Sequence, residues 1–221
     1  MNQHLENGER LLQEGQLEGA QAAYEKALEL SPDSADALYG MAKTLAMRAD
    51  AEAAILRYRG AIAIEARAEG LSQLAELLLV HGSEEEVSEL LAKAAELDPD
   101  LAAIFVIRAE LASRHERFDE ASELLKKAVR RGAEIPEQTI FRLYQKNIQQ
   151  LLEDGDTEKA SEVAGSAAEY FGHLHLLLLA GKAAELAKQP AVAIARYKRA
   201  LSELPAGQLR LEVLEKIAAL V

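Results

Sequence analysis

Residues Ala23–Asp33 read AYEKALELSPD, Leu90–Asp100 read LLAKAAELDPD, and Arg196–Ala206 read RYKRALSELPA. Each stretch is the tail of an amphipathic helix running into a proline turn. Pro32 and Pro99 lie 67 residues apart, one short of two 34-residue units, so an intermediate copy is expected to end near residue 66. It does, as RYRGAIAIEAR over Arg57–Arg67, with Ala66 in place of the proline. Extending the phase gives six copies, over about 1–34, 35–67, 68–101, 102–135, 141–173 and 174–207, with extra residues around Pro136 and a last helix over 208–221. An alanine recurs on the second helix of every copy: Ala27, Ala61, Ala94, Ala128, Ala167 and Ala200. Seven residues earlier stand Ala20, Ala54, Val87, Ala121, Ala160 and Ala193, and three residues earlier Tyr24, Tyr58, Leu91, Leu125, Ala164 and Tyr197. The close-contact place of each first helix holds Gly8, Ala42, Ala75, Ala109, Ile148 and Gly181. Small residues let helix axes approach, and the large one fills the remaining gap.

This in-phase pattern resembles the tetratricopeptide repeat family, whose helix-turn-helix unit carries W-x₂-L-G-x₂-Y…A-x₃-F…P. The resemblance covers about 200 of the 221 residues. It implies an all-α fold: a right-handed α-solenoid of about six such repeats plus a C-terminal capping helix, forming one domain over 1–221. The departures are informative. There is no Trp, and the fifth copy has Asn147-Ile148 where Leu-Gly is expected and Ala164 where a large residue is expected.

Local chemistry agrees. Gly15, Gly82 and Gly155 fall just past first helices, where a left-handed residue closes a helix at little cost. Asp50, Ser83 and Asp156 are placed to cap the next helix, and Ser83 with Glu86 forms a capping-box pattern. In the final helix, Leu211, Leu214 and Ala218 have inward spacing and are expected to seal the sixth repeat, while Leu209, Val213 and Leu220 form a second stripe. Leu174, Leu176, Leu177, Leu178 and Leu179 cover nearly every direction around one helix, which makes that helix either buried or adhesive.

Composition narrows the function. Zero Cys removes disulfides, thiolate metal ligation and a thiol nucleophile. A net charge of −12 repels polyanions, so no nucleic-acid partner is expected. The N-terminal MNQHLENGER lacks an apolar core, and no apolar run approaches the roughly 20 residues that span a bilayer. The expectation is a cytoplasmic protein without membrane insertion.

Fragments that resemble catalytic motifs fail on spacing. His115-Glu116 begins a zinc-helix pattern, but Asp119 stands where the second His is required. Gly181-Lys182 has neither the earlier glycine of a phosphate loop nor a following Ser or Thr. Asp154, Asp156 and Glu158 alternate like calcium ligands, yet Lys159 occupies the glycine place. His173 and His175 are two apart and diverge on a helix. Ser166 lacks the G-x-S-x-G frame. No enzyme, cofactor or metal is expected.

The resemblance implies instead a protein-binding groove lined by the first helices, with Glu9, Tyr39, Lys43, Glu76, Val106 and Glu110 in the N-terminal half and Arg142, Lys146, Leu178, Lys182 and Val213 in the C-terminal half. The first repeat sums to −5 and the third to −8. A basic segment of a protein or peptide partner is therefore favoured at the N-terminal groove, and an apolar segment at the C-terminal end. The expected function is a non-catalytic scaffold or adaptor that holds a partner's peptide or helix, in assembly of a complex. The alternative is a structural protein that self-associates as a homo-oligomer.

Overall fold

Residues 2–221 are described in a computed structural model of the chain. Thirteen α-helices and no strand occur among them: α1 (Asn2–Gln13), α2 (Leu17–Leu30), α3 (Ala35–Met47), α4 (Ala51–Ile64), α5 (Ala68–His81), α6 (Glu84–Leu97), α7 (Ala102–Arg114), α8 (Phe118–Arg130), α9 (Glu137–Glu153), α10 (Thr157–Phe171), α11 (Leu174–Leu186), α12 (Pro190–Glu203) and α13 (Gln208–Ala219). The all-α helical-repeat expectation holds.

The described residues form two compact units, one of residues 2–111 with Lys127–Ala133 and one of Ala112–Lys126 with Glu134–Val221. In the first unit, α1 packs on α2, α3 on α4 and α5 on α6, and α2 and α4 each pack on the helix that follows. In the second, α10 packs on α9 and α11, and α12 on α11 and α13.

Side-chain caps start several helices. Ser34 Oγ accepts from the Ala37 amide, Asp50 Oδ1 from Ala53, Ser83 Oγ from Glu86 and Asp156 Oδ1 from Lys159. Each such cap contributes about 1 kcal/mol. Glu86 does not complete the capping box, since its carboxylate accepts from Arg59 Nη2 at 2.7 Å instead.

The turns within pairs correct one expectation. Gly15 and Gly155 adopt φ of 73° and 82°, but Gly82 sits at φ −134° in extended conformation. The cause is length. Only Gly82 and Ser83 separate α5 from α6, whereas three residues separate α1 from α2. The longer turns need a left-handed residue, and where glycine is missing Ala49, Glu116 and Lys188 take that conformation at φ 56° to 62°.

The repeating small residues are the core. All six recurrent alanines are buried, as are the six residues seven positions before them. Tyr24, Tyr58 and Tyr197 are among the largest fully buried side chains. A Cβ on Gly8 or Gly40 would stand 2.7 or 2.2 Å from the Tyr24 ring, and one on Gly181 would stand 2.4 Å from Tyr197. Glycine is therefore required by close approach at these places. In the α9–α10 pair the sizes are exchanged: Ile148 lies on the first helix and Ala164 on the second, both buried. Tyr144, one turn before Ile148, fills the remaining space, with its ring 5.7 Å from that of Phe171.

The last helix faces the other way from expectation. Leu211 and Leu214 are 61% and 45% exposed, and Ala218 is exposed. Val213 is buried in one cluster with Ala184, Ala193, Tyr197 and Leu204, against which Ile217, Leu220, Leu174, Leu178 and Leu201 pack. Arg210 Nη1 donates to the carbonyls of Leu201 and Leu204 at the end of α12. Leu211, Leu214 and Ala218 are three and four apart and Leu209, Val213 and Leu220 four and seven apart, both helical spacings, so spacing could not choose. The unpaired carbonyls at the end of α12 attract the guanidinium and set the rotation of the helix.

Candidate functional site

In the first unit, α1, α3 and α5 line one cavity of about 730 Å³. Its walls bring together Glu9, Tyr39 and Lys43 of the expected groove residues, with Asp36, Arg67, Glu69 and Gln73. Tyr39 is the hinge of this arrangement. Its hydroxyl donates to the Glu65 carbonyl at 2.6 Å, and the Arg67 guanidinium lies 4.9 Å from its ring centre. A Cβ on Gly70 would stand 2.2 Å from the same ring, so the glycine lets Tyr39 lie against α5. Arg67 Nη2 donates to Asp36 Oδ1 at 2.7 Å and Glu65 Oε2 at 2.9 Å. Those bonds hold the Arg67 proton more firmly, and Arg67 in turn lowers the pKa of the Glu65 carboxyl. Burial raises the Tyr39 hydroxyl. Tyr24 forms part of the wall and is pushed up to about 12 by burial first and Glu9 second. Glu9, Lys43 and Glu69 are exposed and form no ion pair with another described residue. They are available to a ligand, with the acids in excess.

The second unit has a counterpart built by α9, α11 and α13, of about 270 Å³. Here the floor is apolar: Phe141, Leu178, Leu179, Val213 and Tyr197, with Leu209 at the edge. Lys182, Lys216, Glu212 and His175 stand around it. Tyr197 donates its hydroxyl to Glu185 Oε2 at 2.6 Å, and Lys216 Nζ lies 3.5 Å from the same carboxylate. Burial first and this carboxylate second keep the Tyr197 hydroxyl protonated beyond its ordinary range. Leu178 and Leu179 are half-buried, so each leaves part of its side chain open to the cavity. Val213 is 2% exposed and serves the cap's packing, so a ligand meets it only as floor.

The other expected residues are not gathered into these two cavities. Glu76 is exposed on α5, while Val106 and Glu110 are half-buried on α7. Arg142 is exposed on α9. Lys146 lines a separate recess of about 390 Å³ with Ser113, Phe118 and Gln149. Ser72, one turn before Glu76 on α5, is buried and donates to the Glu69 carbonyl at 2.9 Å. Reading the sequence missed Asp36 and Arg67 in the first cavity and Phe141 and Glu212 in the second. The Arg67 signal was available: it follows Ala66, at the turn that lacks proline. His173 Nδ1 lies 3.1 Å from Glu137, and its ring stacks on Phe171. His175 instead faces Phe141, with ring centres 5.6 Å apart.

These pockets sit on a known fold. Residues 8–47 match the family model described as TPR repeat. No curated protein matches the chain by sequence. Among solved structures, the pilF protein of Pseudomonas aeruginosa is 22% identical, with a TM-score of 0.64 over 97% of this chain and 96% of that one. PilW, described as a widely conserved type IV pilus biogenesis factor, is 16% identical, with a TM-score of 0.63 over 96% and 97%. A chain of the APC/C hetero-tetramer Cut9-Hcn1 is 15% identical, with a TM-score of 0.61 over 97% of this chain, which spans 42% of that one. The chain has the tetratricopeptide repeat fold, a fold of protein-interaction scaffolds. Among the described residues, no helix is long and apolar enough to cross a membrane.

Proposed function

We propose that the chain is a non-catalytic adaptor that holds a helix or extended segment of a partner protein against its first helices, in assembly of a complex. One observation carries this reading: the first helices α1, α3 and α5 of one unit, and α9 and α11 with the last helix α13 of the other, each form an open cavity whose walls present side chains without partners or half-covered leucines. A partner's apolar residues fit between Leu178 and Leu179 of the second unit, a helix-in-groove mode. Its basic residues meet Glu9 and Glu69 of the first. Capture of a partner by the full chain, followed by titration with Leu178→Glu, tests the reading. The variant is expected to weaken binding at least tenfold while circular dichroism stays unchanged. Unaltered affinity in a folded variant would overturn it.

A second reading, self-association, has its own observation: Leu211 and Leu214 project from the last helix at 61% and 45% exposure. Light scattering on the wild type and on Leu211→Glu with Leu214→Glu separates the two readings. A mass that falls only in the variant favours the homo-oligomer.

A further inference from the structure

Three first helices of the first unit carry a charge at the same place of the repeat: Glu9 on α1, Lys43 on α3 and Glu76 on α5, 34 and 33 residues apart. All three are exposed, and none forms an ion pair with another described residue. Glu9 and Lys43 line one cavity. Burial first and Glu9 second raise the Tyr24 hydroxyl, and burial first and Glu76 second raise that of Tyr58, so the two carboxylates stand beside successive buried tyrosines. The sign alternates from one first helix to the next: negative, positive, negative. Other charges on these helices keep that order, since Glu6 adds to α1 and Glu69 to α5, while Arg10 is taken by Glu14 at 2.6 Å and Asp36 by Arg67 at 2.7 Å.

Spacing turns this order into a description of a partner. Helices packed side by side lie about 8–10 Å apart. A partner helix brings residues seven apart onto one face at about 10.5 Å, because each residue rises about 1.5 Å. An extended strand covers the same distance in three residues, but it turns every third side chain to the opposite face and cannot repeat a contact at this pitch. Near Glu9 and Lys43 the cavity is also walled by Leu12, Tyr39 and Met47, and Met47 is 53% exposed. A helix laid across α1, α3 and α5 therefore meets charge at heptad spacing and apolar surface beside it.

We propose that the first unit takes an amphipathic helix of a partner protein whose charges run basic, acidic, basic at heptad spacing, the acidic residue pairing with Lys43 and the basic ones with Glu9 and Glu76, while its apolar residues cover Met47 and Tyr39. This rests on the adaptor reading and adds to it the register and the middle charge. The middle charge has a consequence opposite to that of net charge. Although the chain carries −12, replacing the acidic residue of the partner by a basic one weakens binding, because it sets two like charges against each other at Lys43.

The test uses the full chain and fluorescent leucine- and alanine-based peptides of about 20 residues, long enough to hold a helix. One carries Lys-Glu-Lys at heptad spacing, a second Lys-Lys-Lys at the same places, and a third Lys-Glu-Lys at five-residue spacing, which scatters the charges around the helix. At low ionic strength the first is expected to bind about fivefold more tightly than the second, the effect of one exposed pair changed from attraction to repulsion. It should also bind more tightly than the third. Lys43→Glu is expected to reverse the preference between the first two peptides and Lys43→Gln to erase it, with circular dichroism unchanged in both. Equal or tighter binding of Lys-Lys-Lys to the wild type would overturn the proposal, as would equal binding of the five-residue spacing or no binding of the first peptide. If a natural partner still loses affinity with Leu178→Glu in that event, the adaptor reading stands and only the charge register falls.

Discussion

The two pockets on the first helices are built to one plan and finished in opposite chemistry. In the first unit the walls are Glu9, Asp36, Lys43, Arg67 and Glu69, and the aromatic residues are held in place by glycines. In the second unit the equivalent helices offer Leu178, Leu179 and Phe141, with charge only around the edge. Close packing between paired helices is common to both, since Tyr24 meets Gly8 and Gly40 just as Tyr197 meets Gly181. The repeat sets where helices lie, and the positions that the repeat leaves free set what a pocket can recognise.

The shared plan can be broken at its tyrosines. Tyr24→Ala and Tyr197→Ala should each cost about 3–5 kcal/mol in denaturant unfolding, because each empties a place surrounded by small residues that cannot move in to fill it. If hydrogen exchange shows protection lost mainly in the unit that carries the mutation, the two pockets stand on separate supports.

The difference in chemistry should appear in binding. Glu9→Lys with Glu69→Lys is expected to weaken a basic partner segment by about 1 kcal/mol and to flatten its dependence on salt, since exposed charges are screened. Leu178→Glu should act on affinity with little change in salt dependence, because it removes apolar burial. The same salt slope for both variants would mean that the pockets do not differ as described.

A smaller effect sharpens what the units share. Ala49→Gly in the first and Lys188→Gly in the second place a glycine at φ 62° and 56°, and each should stabilise by up to about 1 kcal/mol in thermal unfolding. Unequal gains would show that one turn is strained for another reason.

At neutral pH the least visible difference is that of the tyrosine hydroxyls. Tyr24 has its folded pKa raised from 10.0 to about 12 by burial and Glu9, and Tyr197 is raised in the same direction by burial and Glu185. A raised pKa means that the fold favours the protonated form, so this contribution is complete below about pH 10 and is lost as pH rises toward 12 and beyond. Ultraviolet titration should show both rings ionising above the range of free tyrosine, and Glu185→Gln should bring Tyr197 back toward it while leaving Tyr24 in place.

Much of this was legible in the residues. The alanine series from Ala27 to Ala200 located every helix pair, because a helix that must approach another closely tolerates only small side chains at the contact. Asp50, Ser83 and Asp156 announced helix starts for a reason equally local, the bond from side chain to amide. Gly82 did not announce its conformation, since that depends on a turn one residue shorter than the others.

What the sequence by itself determined is the repeat: the number of helix pairs, their caps and the small residues on which they close, all of which depend on spacing along the chain. Tertiary structure alone decided three things. It chose which apolar stripe of α13 turns inward, because Val213 and Leu211 have equal claims until the carbonyls at the end of α12 capture Arg210. It brought Arg67 over Tyr39 and against Asp36, 28 and 31 residues away in the chain. It also left the Nδ2 of Asn147 without a hydrogen-bond partner among the described residues, a fact no pattern can carry, because satisfaction of a buried amide depends on atoms contributed by other helices.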